Sequence, residues 1–180
     1  MLGSSCYVLA DTFFVANGVG ADGLTALNLA ISMFSYIQAI GLMIGMGSAT
    51  RFAVGVSRGS SGGNVVFTTA LMTGLGAGLI IAAAGNAFCA QIAAFLGADD
   101  ATGAMTSVYL RVIMGFAPFY LVNHTVVTFV RNDGNPKLAT VALLTSNFSN
   151  IVLDYVFIYI FDWSMFGAAF ATGIAPVVSL

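Results

Sequence analysis

The sequence predicts an all-α integral membrane protein with about six transmembrane helices. Three observations carry that prediction. Of the 180 residues, 59% are hydrophobic and 7% are charged, and the mean hydropathy is +0.97, which is more apolar surface than a water-soluble fold can bury. Runs without charge extend from Gly23 to Thr50, from Gly59 to Ala98 and from Val112 to Val130. Each exceeds or approaches the ~20 residues that a helix needs to cross the hydrocarbon. The few charges gather between these runs, largely with one sign on each side.

Cutting the apolar runs at clusters of Gly, Asp, Asn and Pro gives the elements in order. The first helix ends near Val19, the second covers about residues 24–51, the third 64–96 and the fourth 102–131. The fifth starts at Pro136, a favoured first helical position, with Asn135 as its N-cap, and ends near Phe161. The sixth begins near Ser164 and runs to Leu180. The residues before Asp11 rise only ~15 Å at helical pitch, so the first helix is expected to be truncated at its start, and the sixth to be cut at its end. The opening residues carry neither a basic n-region nor a small-residue cleavage site, so no signal or transit peptide is expected.

Charge sets the orientation. Arg51 and Arg58 follow the second helix and Arg131 and Lys137 follow the fourth, so these two loops are expected to face the cytoplasm. The opposite loops hold Asp22, Asp99, Asp100 and Asp162 and no Lys or Arg. Arg111, near the outer end of the fourth helix, is read as a snorkelling or loop-paired cation. Five basic and seven acidic residues leave a net charge of −2 and no basic patch, so no nucleic-acid partner is expected. Cys6 and Cys89 lie in apolar surroundings with no metal-ligand spacing and are read as small packing residues. Gly41, Gly45 and Ser48 on the second helix and Gly74, Gly76 and Gly78 on the third are expected to let helices approach closely. Gln38, Asn123 and His124 are uncharged polar groups within spans, and His124 is expected to hydrogen-bond between helices.

Two aspartates sit where aspartate is costly, Asp11 in the first helix and Asp154 in the fifth, both among apolar and aromatic neighbours. An ionisable side chain at such depth is a functional candidate. Asp11 precedes Val19, and Asp154 precedes Asp162, by the same eight residues, which places both carboxylates ~12 Å below the outer surface. Thr172, on the inward-running sixth helix, arrives at a similar level. Tyr7 shares a helical face with Asp11, and Asn147, Asn150 and Asp154 share a face at spacings i, i+3 and i+7. Carboxylate, amide, hydroxyl and phenol oxygens suit a desolvated sodium ion, and a close carboxylate pair equally suits a proton.

These motifs resemble the multidrug and toxic compound extrusion (MATE) family. The resemblance rests on Ala10-Asp-Thr-Phe-Phe-Val15, Gly20-Ala-Asp-Gly-Leu-Thr-Ala26, Phe129-Val-Arg-Asn-Asp-Gly-Asn-Pro-Lys137, Asn150-Ile-Val-Leu-Asp-Tyr-Val-Phe-Ile158 and Gly167-Ala-Ala-Phe-Ala-Thr172, which occur in order over nearly the whole chain. It implies a transporter of twelve spans in two pseudo-symmetric six-helix lobes, of which residues 1–180 form the N-terminal lobe while the second is absent from this chain. In the prokaryotic branch related to the DNA-damage-inducible F protein, it implies a cation site at Asp11, Asn150, Asp154 and Thr172, with Tyr7 close by; Asn147, on the face shared with Asn150 and Asp154, is expected to support it. The implied activity is antiport of cationic or amphipathic drugs against protons or sodium across the inner membrane. No cofactor is expected, and no metal beyond sodium at that cluster.

Three rivals share some of these features. A lipid-linked precursor or polysaccharide flippase of the same superfamily would present a row of basic residues to its cavity, which this sequence lacks. An integral-membrane enzyme would need a metal-binding or nucleophilic motif, and the single His and the isolated Asp99-Asp100 pair supply none. A structural membrane subunit would tolerate substitution at Asp11 and Asp154.

Overall fold

The computed structural model describes the backbone of residues 2–58 and 62–180, and the side chains within them from residue 9 onward. The described chain is helical: α1 (Leu2–Gly18), α2 (Ala21–Ser57), α3 (Gly63–Phe95), α4 (Gly103–Gly115), α5 (Ala117–Asn132), α6 (Pro136–Tyr155) and α7 (Ser164–Val178). A π-helical turn, Val156–Ile160, extends α6.

Three of these, Ala21–Ser57, Gly63–Phe95 and Pro136–Ile160, are long and apolar enough to cross a membrane. Only 22%, 17% and 17% of their most apolar windows is buried within the protein, so most of that surface faces outward. Water is a poor solvent for such faces. The α4–α5 pair, bent by 47°, is together long and apolar enough for a fourth span, and α7 is a shorter apolar helix.

The bend corrects the expectation of one continuous fourth helix. Pro118 lacks the N–H that would bond the Met114 carbonyl, and its ring crowds that carbonyl, so the ladder breaks at Phe116. Two boundaries also shift. α2 continues past Arg51 to Ser57, so Arg51 lies within the helix. Asn135 occupies the N-cap of α6, but its side chain makes no capping bond. Gly134, at φ +86°, turns the chain instead, and the Asn135 backbone N–H donates to the Val130 carbonyl at 3.2 Å.

Packing divides the helices into two groups. α2 lies on α5, and α3 lies on both α4 and α5. α6 pairs with α7 and α1, and α4 meets α7 to join the groups. Leu27, Ile37, Leu110, Ile113, Met114 and Leu121 are fully buried between them. A second apolar cluster forms around Phe129, whose ring meets Phe52 and Phe67 edge-on at 5.4 and 5.0 Å.

Small residues explain the close approaches. A side chain at Gly41 would meet the His124 ring at 2.9 Å, and one at Gly45 would meet the His124 carbonyl at 3.1 Å. Gly78 faces the backbone of Ala117 and Pro118, at the break itself. Gly76 differs from the expectation. It has nothing within 4 Å, because it lies about half a turn from Gly74 and Gly78 and points away from α5.

Candidate functional site

Asp11 on α1, Asn150 and Asp154 on α6, and Thr172 on α7 come together where the two helix groups meet. All are buried, with exposures of 6%, 2%, 0% and 5%. Asn150 Nδ2 donates to Thr172 Oγ1 at 3.2 Å. Asp11 and Asp154 lie close enough for each carboxylate to feel the other's charge. The depth count made from sequence therefore corresponds to spatial proximity.

Hydrogen bonding within this cluster is incomplete. Among the described residues, both carboxylate oxygens of Asp154, Oδ1 of Asp11 and Oδ1 of Asn150 are buried without a hydrogen-bond partner. An uncompensated charge in such surroundings costs several kcal/mol. Two of them repel across a medium that screens poorly. Among the described residues the cluster sets oxygen acceptors from α1 and α6 beside the two carboxylates, with Asn150 Nδ2 and the Thr172 hydroxyl paired to each other.

The other expected participants behave differently. The side chain of Tyr7 lies outside the described residues, as does that of Cys6. Asn147 is half-buried one turn before Asn150 and makes no side-chain hydrogen bond among the described residues. His124 bonds the Gln38 side chain across the α2–α5 contact, as expected of an interhelical polar residue. Arg111 donates from Nη2 to Cys89 Sγ at 3.2 Å, so Cys89 is more than a packing residue and Arg111 has a protein partner.

Sequence reasoning missed two tyrosines. Tyr109 on α4 is 3% exposed, with its hydroxyl beside the Thr172 side chain and within electrostatic reach of Asp11 and Asp154. Tyr120 on α5 donates its hydroxyl to the Thr172 carbonyl. Asn123, one turn further along α5, donates from Nδ2 to the Pro176 carbonyl at 3.0 Å. The available signal was Pro176, whose missing N–H leaves the carbonyl four residues earlier, that of Thr172, in need of a donor.

The family model for MatE matches residues 1–156. The chain belongs to the MatE family. Its relatives include the multidrug export protein MepA of Staphylococcus aureus (strain MRSA252), 30% identical over 178 residues, covering 98% of this chain and 39% of the relative. MepA of Staphylococcus saprophyticus is 29% identical over 181 residues, with the same coverage of 98% and 39%. This MatE chain thus spans about two fifths of the length of the curated relatives it matches.

Solved structures agree. A multidrug resistance MATE family transporter of the MOP superfamily in its outward-facing conformation superposes with a TM-score of 0.91 at 28% identity, over 99% of this chain and 40% of that one. A MOP superfamily transporter from Pyrococcus furiosus gives 0.92 at 27% identity, over 99% and 40%. The MatE chain is therefore a multi-pass membrane protein with the helical arrangement of one MATE lobe.

Proposed function

We propose that this chain is the N-terminal six-helix lobe of a secondary active multidrug exporter, working with a second lobe in the inner membrane. Its coupling site is the cluster of Asp11, Asn150, Asp154 and Thr172, with Tyr7 and Asn147 in support. The observation that carries this reading is the fully buried Asp154, neither of whose oxygens has a hydrogen-bond partner among the described residues, beside the charge of Asp11. A proton or a sodium ion arriving from outside removes the repulsion between the two carboxylates. Its release on the inner side restores that repulsion.

A transporter can use this difference by making the occupied and unoccupied clusters favour different lobe arrangements, so that ion entry drives release of a cationic or amphipathic drug. The chain's own residues supply the binding and the discrimination. Asp11 and Asp154 supply charge, Asn150 and Thr172 supply neutral oxygens, and the Asn150–Thr172 bond ties α6 to α7 at the site. The chemistry needs neither a bond-making residue nor a cofactor. Membrane lipid and drug-like small molecules are the proposed partners.

Transport in proteoliposomes by this lobe joined to a matching second lobe, under an imposed sodium or proton gradient, tests this reading. Asp154→Asn and Asp11→Asn should each abolish gradient-driven drug movement while the helical content is preserved. Full transport in both variants would exclude the cluster as the coupling site.

A further inference from the structure

We propose that Tyr120 is the positioning residue of the cluster: by donating to the carbonyl that Pro176 leaves open, it holds Thr172 in place for the ion. This inference rests on the coupling-site reading above. In a regular helix the carbonyl of Thr172 would accept from the N–H of residue 176. Proline has no N–H, so α7 carries a gap in its ladder directly beneath a site residue.

α5 closes that gap from outside the helix. The Tyr120 hydroxyl donates to the Thr172 carbonyl. Asn123, on the same face of α5, donates to the Pro176 carbonyl at 3.0 Å and also bonds Ser179 Oγ. Ser179 Oγ in turn donates to the Pro176 carbonyl at 3.1 Å. α5 thus grips α7 on both sides of the proline. The grip is stiff, since Tyr120 is buried and its ring meets Phe34 edge-on at 5.2 Å.

Thr172 is consequently fixed at two points. Its carbonyl is held by Tyr120 and its hydroxyl by Asn150, at 3.2 Å. Removing the phenolic hydroxyl leaves a buried carbonyl unpaired, and α7 is then free to bend at Pro176 in search of another donor. That bend carries Thr172 Oγ1 away from Asn150.

The test uses the chain's single tryptophan, Trp163, at the N-cap of α7, as a fluorescent reporter. Purified protein is titrated with sodium chloride against choline chloride at constant ionic strength, and separately with acid. Tyr120→Phe should weaken the cation midpoint about fivefold, the worth of one neutral hydrogen bond. The double variant Tyr120→Phe with Pro176→Ala should recover to within about twofold, because the alanine N–H supplies the donor that Thr172 lost. In a Thr172→Ala background, Tyr120→Phe should add nothing.

An unchanged midpoint in Tyr120→Phe overturns the proposal. So does a loss that Pro176→Ala fails to repair, or one that adds to the effect of Thr172→Ala, since either shows that the ring acts only through packing. Asp154→Asn separates the two levels of the argument. If it abolishes the response while Tyr120→Phe does not alter it, only the positioning role falls. If it titrates as the natural chain does, the coupling-site reading falls and takes this inference with it.

Discussion

Replacing Gly78 by alanine should destabilise the helix bundle, and replacing Gly76 should not. Both substitutions add the same methyl group to α3 and gain the same helix propensity, ~1 kcal/mol over glycine. They differ in what the methyl meets. At position 78 it lies 2.7 Å from the Pro118 nitrogen and 3.1 Å from the Ala117 carbonyl carbon, backbone atoms that cannot rotate aside, whereas at position 76 it meets nothing within 4 Å. Overpacking of this kind costs ~1–3 kcal/mol. Because the propensity gain is common to both, the difference between the variants isolates the clash. For a chain of this size the two apparent melting temperatures should differ by roughly 2–12 °C, with Gly78→Ala the lower. Thermal unfolding in one detergent, followed by circular dichroism, measures it. Equal melting, or a more stable Gly78→Ala, would refute the close approach of α3 to the α4–α5 break.

Three further outcomes follow from the same structure. In a background with both native cysteines replaced, a cysteine at Gly62 should resist an impermeant thiol reagent applied to intact cells and one at Ala98 should react; the reverse pattern would invert the assigned orientation. Asp99 accepts from the Thr102 hydroxyl at 2.7 Å and the Thr102 N–H at 2.9 Å, which holds its carboxyl below the ordinary 3.8. A carboxyl lowered by folding stabilises the turn above pH 3.8 and ceases to do so as the pH falls through its folded value, so amide exchange at residues 102–106 should accelerate only in strong acid, and Asp99→Asn should remove that pH dependence. Expressed by itself the chain should confer no resistance to ethidium, and joining it to a matching second lobe should restore export; resistance from the chain alone would point to a homodimer.

The fold and half of the candidate site were legible because charge in an apolar run is conspicuous. Asp11 and Asp154 announced themselves by their cost, and counting residues to the nearest loop was enough to place them at one level with Thr172. Asn150 followed from sharing a face with Asp154. Tyr109 and Tyr120 were not legible, because a tyrosine in a membrane helix resembles any other aromatic residue. What gives Tyr120 its proposed role is a carbonyl 52 residues away, opened by a proline. The α4–α5 break was signalled by Pro118, but an apolar run long enough for one straight span concealed it. Gly76 was misassigned because glycine content alone does not say which face of a helix is covered. The π-helical turn after Tyr155, with the positive φ of Asp162 and Ser164 at 53° and 49°, had no sequence signal of its own.

The central claim is that Asp11 and Asp154 hold the coupling ion between them, and infrared difference spectroscopy of the carboxyl groups tests it most directly. Spectra are taken on exchanging choline for sodium and on stepping the pH. The account predicts one saturable change, a protonated-carboxyl band if a proton binds or a carboxylate shift if sodium does, absent in Asp154→Asn and in Asp11→Asn and weakened about tenfold in midpoint, ~1.4 kcal/mol, in Thr172→Ala. A carboxyl signal that is the same in the natural chain and in both aspartate variants would contradict it.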